Sequence, residues 1–380
     1  MRTSIIDAIP MSDTKFGLLT AVFLWVYGLL SPFAGFLADR FNRSRVIIAS
    51  LFLWSLVTWL TSHATTFEQL LATRALMGIS EACYIPAALA LIADYHRGPT
   101  RSLATGIHMA GVTVGQSLGF LGGWIAERDV WTTAFSILGM VGIVYSVILA
   151  FLLKDAPHKS ETVLISNEPK TKIRFFDAIA DLFSRRSFNY AFIFWALLGI
   201  VGWLIIGWLP TYYKEHFNLS QSQAGIYATW YYYVCSLIGV WVGGAWADKW
   251  SKKNPKGRIF VPVVGLCIAA PFILLASTTN ILFIAVAGFM VYALTRPFCD
   301  PNMMPILCLI VNPKYRATGY GVLNFFACIV GGIGIYAAGA LRDKHIDLRI
   351  MFQLAAVIMA ICVGLLFLIK PKYPEDPIVQ

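Results

Sequence analysis

Four charged residues stand where charge is expensive. Arg74, Glu81, Arg296 and Asp300 lie well inside long apolar runs, whereas the other basic residues fall in the connections between runs and the other acids at connections, run ends or corners. An ionisable side chain in a bilayer costs on the order of 2.5–3.5 kcal/mol for Arg or Asp on insertion scales, so such groups face a cavity and tend to work. Arg74 and Glu81 are seven residues apart, which puts them on one helical face roughly 10 Å apart along the axis. A guanidinium matches the fork of a carboxylate or phosphate, and a glutamate partly withdrawn from water is suited to carrying a proton. A structural ion pair that braces the helix is the plainer reading. Arg296 and Asp300 are four apart and can pair on their own helix. Pro297 stands between them and Pro301 and Pro305 follow, which predicts a bent helix with freed carbonyls. Simple self-neutralisation is the alternative there.

Weaker candidates surround these four. Gln116 lies in the run Gly111-x-x-x-Gly115-Gln116-x-x-Gly119-x-x-Gly122-Gly123, and Asn324 precedes Gly331-Gly332-x-Gly334. Glycines so spaced let helices approach closely, which accounts for them without chemistry, although Gln116 could face a cavity. Trp203, Trp208 and the set Trp230-Tyr231-Tyr232-Tyr233 could stack on a sugar face or form an interfacial belt. His108 and Asn189 read most simply as helix-helix hydrogen bonds. All seven cysteines fall in apolar runs with no CxxC and no Cys/His pair at metal spacing, so neither a disulfide nor a metal is expected.

The elements that must position these groups are membrane helices. With 58% apolar residues, 13% charged residues and a mean hydropathy of +0.68, the chain departs from soluble composition, in which about a quarter of residues are charged. Spans of roughly 17–25 apolar residues are expected at 16–38, 45–62, 67–92, 102–125, 132–153, 188–211, 222–246, 258–276, 281–308, 318–340 and 350–369. Their length argues for helices, since barrel strands are short and alternating. Between spans the stretch Gly35-Phe-Leu-Ala-Asp39-Arg40-Phe-Asn-Arg43 returns as Gly244-Ala-Trp-Ala-Asp248-Lys249, 209 residues later. Arg101-Ser-Leu-Ala-Thr-Gly106 matches Arg316-Ala-Thr-Gly-Tyr-Gly321 at an offset of 215. The chain is thus an internal duplication with halves 1–153 and 187–380 and a polar linker, 154–186, that ends in an amphipathic surface helix near 175–183. A carboxylate at a helix C-terminus opposes the dipole, so Asp39 and Asp248 need a cationic or helix-N-terminal partner; Arg40, Arg43 and Arg45 serve equally as topology anchors. Span 188–211 has its counterpart before Met1, and residues 1–15 read as the outer loop that follows an absent first span.

Twenty-one Lys and Arg fall in connections on one side and seven on the other. By the positive-inside rule the first side, with the C-terminus, is cytoplasmic. The net charge of +10 is therefore an orientation signal and not a nucleic-acid footprint.

Two helical halves, each with a Gly-x-x-x-Asp-Arg/Lys corner between its second and third spans, resemble the major facilitator superfamily of secondary transporters. Arg74-Ala-Leu-Met-Gly78-Ile-Ser-Glu81 is similar to the Arg-x-x-x-Gly-x-x-Glu signature of the anion:cation symporter group, carriers of sugar acids and sialic acid. Spinster-type lipid transporters share much of that signature. The resemblance implies an all-α integral membrane fold of two pseudo-symmetric halves, with eleven of the usual twelve spans visible and the first missing. It gives Glu81 the proton-coupling role and Arg74 a substrate or gating role, and it makes the first corner a latch for the cytoplasmic ends. Members of the symporter group also carry a first-span Asn-Tyr-x-Asp-Arg, which is not in this chain.

The expectation is a secondary transporter that couples a small organic anion such as a sugar acid to the proton gradient by alternating access. It would be a multi-pass monomer of the inner (plasma) membrane, with no cofactor, no nucleic-acid partner and no enzyme chemistry: there is no nucleotide-binding glycine loop, metal cluster or Ser/His/Asp arrangement. The alternatives are a spinster-type lipid or lysolipid carrier and a transport-inactive membrane sensor.

Overall fold

The computed structural model describes residues 1–96, 100–155, 175–254, 256–312 and 315–371, with backbone alone at 32, 35–39, 101, 102, 175 and 317. Residues 156–174 of the expected linker lie outside the described ones. Every regular element among the described residues is helical. A short α1 (Arg2–Ala8) leads into α2 (Asp13–Arg40), α3 (Arg43–Thr61), α4 (Phe67–Ala82), α5 (Tyr84–Tyr95), α6 (Arg101–Ser117), α7 (Phe120–Arg128) and α8 (Trp131–Leu152). At the end of the expected linker comes α9 (Phe175–Phe183), followed by α10 (Arg186–His216), α11 (Gln221–Gly225), α12 (Tyr232–Ser251), α13 (Gly257–Thr278), α14 (Leu282–Thr295), α15 (Met303–Ile310), α16 (Arg316–Asp343) and α17 (Leu348–Leu368). A π-helical turn, Ile226–Tyr231, joins α11 to α12, and a 3-10 helix, Arg296–Asn302, joins α14 to α15.

Among the described residues nine helical runs are long and apolar enough to cross a membrane, which makes this a multi-pass membrane protein. They coincide with nine of the eleven expected spans. The other two, at 102–125 and 222–246, are helical but interrupted. α6 gives way to α7 at Leu118 and Gly119, and the second carries its π-turn within a Tyr- and Trp-rich stretch of lower hydropathy. The amphipathic α9 is present, with Ala178 and Leu182 fully buried and Phe176 82% exposed on the opposite side.

Helix starts follow local chemistry. Asn42 Oδ1 accepts from Arg45 N at 3.1 Å, and the Asp155 carboxylate accepts from Ser44 N at 2.9 Å, so the entry to α3 is capped twice. Ser220 and Gln223 form a capping box on α11, and Asp347 caps α17 through Arg349 N at 2.8 Å.

The halves meet along α2 and α16. Trp25 Nε1 donates to Ile329 O at 3.0 Å, a Cβ on Gly17 would stand 2.9 Å from Ile335 O, and Gly332 lies against the Trp25 indole. Backbones can come this close only because these positions lack a side chain. α10 covers both α16 and α17: Gly199 abuts Ala327, Gly334 abuts Ile200 and Gly331 abuts Trp203. Behind it Tyr212, Phe289 and Phe352 pack with ring centroids 5.3–5.8 Å apart, and the Tyr212 hydroxyl donates to Ala276 O at 2.9 Å.

The first half differs. A Cβ on Gly106, Gly111 or Gly115 would meet nothing within 4 Å, and Leu138, Val141 and Tyr145 of α8 are exposed. The close approach expected at Gly111 and Gly115 is therefore absent among the described residues. It occurs further along, where Gly119, Gly122 and Gly123 meet Thr229, Met1 and Gln221. The reason is geometric: no described helix occupies, against α6 and α8, the position that α10 takes against α16 and α17.

Candidate functional site

α4 is seated on α2 at Gly78, whose Cβ would stand 2.9 Å from Phe23 O and 3.2 Å from Tyr27 N. The small residue in Arg74-x-x-x-Gly78-x-x-Glu81 thus brings the helix against its neighbour, and Glu81, one turn on, comes within electrostatic reach of Tyr27. α4 ends at Ala82 and Pro86 falls in the first turn of α5, so the glutamate sits where this span breaks. Arg74 and Glu81 share a face as their spacing requires, but among the described residues they make no ion pair. The Arg74 guanidinium lies over the Phe135 ring, 5.4 Å from its centroid, and its Nη1 is 3.5 Å from Met77 Sδ. A cation held by a ring face and a thioether has few strong acceptors and is available to an anion.

The second couple sits in the other half. The bend expected from the prolines is the 3-10 helix between α14 and α15, and within it Arg296 Nη1 donates to both Asp300 oxygens at 2.8 Å. This segment is wedged against α12: Phe298 lies on Gly243 and Pro301 on Gly244, 3.5 Å from where a Cβ would stand. The corner glycine therefore makes room for the broken helix. Asn302 Nδ2 closes the turn on Phe298 O at 2.9 Å. Tyr232, Tyr292 and Cys299 lie within electrostatic range of the guanidinium, and Gly202 of α10 faces its Nη2. The Asp300 side chain is 41% exposed although its helix is packed on several sides.

Tyr27 of α2 lies within electrostatic range of both Glu81 and Tyr320, and Tyr320 of α16 within range of Asp300, with no hydrogen bond among the four in the described residues. Neither tyrosine stood out in the sequence, since a Tyr in an apolar run carries no mark; only the crossing of α2 and α16 brings them near each other.

The remaining candidates are scattered. Trp203 is occupied by packing on Gly331. Asn324 lies on α16 one turn from Tyr320, half-buried. Gln116 is exposed on α6, and Tyr231 is exposed in the π-turn, its ring stacked on Tyr227 at 5.6 Å. Among the described residues the Gln116 side chain makes no hydrogen bond.

At the corners, Asp248 pairs with Arg258 on the first turn of α13 at 2.7 Å, whereas Lys249 is exposed. The required cation is the first basic residue of the next helix and not the adjacent lysine. In the first half Arg43 pairs with Asp94 and donates to Ala90 O at 3.3 Å. Arg40 is exposed, Gly35 is described by its backbone alone, and the Asp39 side chain lies outside the described residues.

The polar contacts that join the halves gather at the end of the bundle poor in basic residues. Asp13 accepts from Arg2 Nε at 3.0 Å and Arg342 Nε at 2.9 Å, and Glu215 accepts from Arg2 at 3.2 Å and Arg342 at 3.0 Å. Asp343 accepts from Asp13 N at 2.9 Å and Thr14 N at 3.0 Å. Beside this clasp, Glu127 accepts from Ser222 N at 2.9 Å, and Lys214 Nζ donates to Thr3 at 2.6 Å. This end is shut. None of these clasp residues was singled out by sequence, because their spacings of up to 330 residues leave no local signal.

A separate groove of 480 Å³ opens between α3 and α4, lined by Leu53, Val57, Leu76 and Ile79 with Arg45 toward one end.

Residues 3–334 match the model of the Major Facilitator Superfamily. The chain is 27% identical over 352 residues to "Protein spinster homolog 1" of Xenopus tropicalis, covering 88% of this chain and 67% of that one. It is 24% identical over 397 residues to the "Probable sulfoacetate transporter SauU" of Cupriavidus necator, covering 97% and 88%. A crystal structure of a bacterial homolog of the human lysosomal transporter Spinster, inward-facing and unoccupied, superposes with a TM-score of 0.79 at 23% identity, covering 96% of this chain and 91% of that one; it shares the fold. With its duplicated corners, its many apolar helices and a family match over most of its length, the chain belongs to the Major Facilitator Superfamily and is a membrane transporter, not an enzyme.

Proposed function

We propose that this transporter is a proton-coupled symporter of a small organic anion, of the anion:cation symporter type, driven by the proton gradient across a plasma membrane. The observation that carries this reading is the placement of Arg74 and Glu81 on α4 in one half and of the Arg296–Asp300 pair beside α15 in the other, on elements that pack against α2 and α16 where the halves meet. The arginines supply charge for an oxyanion, and Glu81, with no ion pair among the described residues, is the proton carrier. The shut clasp at one end supports alternating access, in which the halves rock about a fixed midplane site. The chain works as a monomer with its basic side and C-terminus in the cytoplasm. A relative described as a sulfoacetate transporter agrees with an oxyanion substrate.

The test is uptake into proteoliposomes of gluconate, glucuronate, sialic acid and sulfoacetate beside neutral sugars and lysolipids. Saturable uptake of an anion under an inward proton gradient is expected. Anion uptake indifferent to collapse of that gradient overturns symport.

A second reading, a carrier of an amphiphile with an anionic head group, is favoured by one observation, the apolar α3–α4 groove with Arg45 toward its end. Relatives described as "Sphingosine-1-phosphate transporter SPNS2" agree with it. Uptake of lysolipid without uptake of any soluble acid decides for this reading.

A further inference from the structure

We propose that Asp300 is a tethered counter-ion: it holds Arg296 while no substrate is bound and yields it to the oxyanion of the transported molecule. This rests on the transport reading above and names the group that substrate charge meets in the second half.

The geometry of the pair points this way. Arg296 reaches both Asp300 oxygens through Nη1 alone. A guanidinium has five N–H donors in a planar fork and binds an oxyanion best along an edge, through two nitrogens at once. Here Nε is buried and donates to no acceptor among the described residues, and Nη2 faces the bare Cα of Gly202. Buried donors in native proteins nearly always have partners, so a fork used at one tip is the resting half of an exchange.

The two partners also differ in freedom. The arginine side chain is 18% exposed and the aspartate 41%, so the cation is enclosed and the anion faces open space. Their backbone is pinned, with Phe298 on Gly243 and Gly265 and Pro301 on Gly244. Asp300 can therefore leave by side-chain rotation while Arg296 stays. The buried rings of Tyr232 and Tyr292, with centroids 6.2 Å apart, lie within electrostatic range of the guanidinium, and a low dielectric there strengthens the attraction of whichever anion holds the cation. The exchange sets the ligand class: a carboxylate, sulfonate or phosphate group that takes the place of a carboxylate already there. A neutral sugar has nothing to displace it.

The experiment uses the full chain in lipid nanodiscs and phenylglyoxal, which modifies available guanidinium groups, with labelling at Arg296 quantified by mass spectrometry. Asp300→Asn is expected to label Arg296 at least threefold faster than the unsubstituted chain, and Asp300→Glu, which keeps a carboxylate, at the original rate. Asp300→Ser carries the same expectation should the Asn variant fail to fold. Gluconate, sulfoacetate and lysophosphatidylglycerol are then added in turn. Protection of Arg296 at lower concentration in Asp300→Asn than in the unsubstituted chain supports the exchange, and the protecting probe tells a soluble acid from a lipid head group. Equal labelling with and without Asp300, or no protection by any of the three, overturns it. Faster labelling in a chain that carries no anion sinks the symport reading and leaves this one standing; anion uptake with equal labelling does the reverse.

Discussion

The clasp at the shut end is the feature whose removal has the most calculable effect, and Asp13→Asn is the sharpest cut. The Asp13 carboxylate accepts from Arg2 in its own half and from Arg342 across the junction, with side-chain exposures of 13% for Asp13, 20% for Arg2 and 13% for Arg342. A hydrogen bond to a charged group contributes about 1.5–3 kcal/mol. Of the two bonded arginines only Arg342 lies across the junction, and a value near the middle of that range, about 2.2 kcal/mol, favours the shut state by about 40-fold in its equilibrium with the open one. Glu215 is 44% exposed and holds back about 0–1 kcal/mol of this, so a net effect of about ten- to fortyfold is expected. The assay is disulfide cross-linking of Ser4→Cys with Gln221→Cys, whose native side chains stand 3.2 Å apart across the gate, in a chain whose seven cysteines have been replaced. Oxidation should join the pair rapidly with Asp13 present and at least tenfold more slowly in Asp13→Asn, at unchanged melting temperature. An unchanged rate would mean that apolar packing of α2 on α16 holds this end shut and that the ionic clasp is ornamental.

Glu81→Gln should abolish concentrative uptake while sparing exchange of labelled for unlabelled anion, read by counterflow in proteoliposomes; loss of both would make Glu81 structural. Gly78→Leu forces α4 off the α2 backbone and should cost about 1–3 kcal/mol as overpacking, seen as a lower melting temperature. Gly364→Ala, where a Cβ meets nothing within 4 Å, should leave that temperature unchanged. Asp248→Asn breaks a pair whose carboxylate is 64% exposed, so its stability loss should stay under about 1 kcal/mol; a larger drop on thermal unfolding would show that the corner bears more of the fold than its exposure implies.

Much of the architecture was legible in the chain because its cause is local. Apolar runs marked the spans, since a helix is the simplest way to satisfy a backbone in lipid. The prolines after Arg296 announced the break in α14–α15, and a spacing of four announced the Arg296–Asp300 pair. Where composition drifted from plain hydropathy, as in the Tyr-rich stretch before α12, the expected span is an interrupted helix. The glycines of α6 looked like a packing row, yet only their later members touch anything described, because packing needs a second helix that sequence spacing does not supply.

The sequence by itself determined which groups carry charge inside the membrane, where the chain turns and that its halves repeat, for these depend on neighbours within a few residues or on a pattern that recurs. Only the tertiary structure decided who meets whom. That Arg258 and not Lys249 answers Asp248, that Arg342 reaches back to Asp13 and that Trp25 meets Ile329 are outcomes of how the helices cross and of which glycines allow it. Such contacts form between groups hundreds of residues apart, and the physics that selects them acts on distance in space, not along the chain.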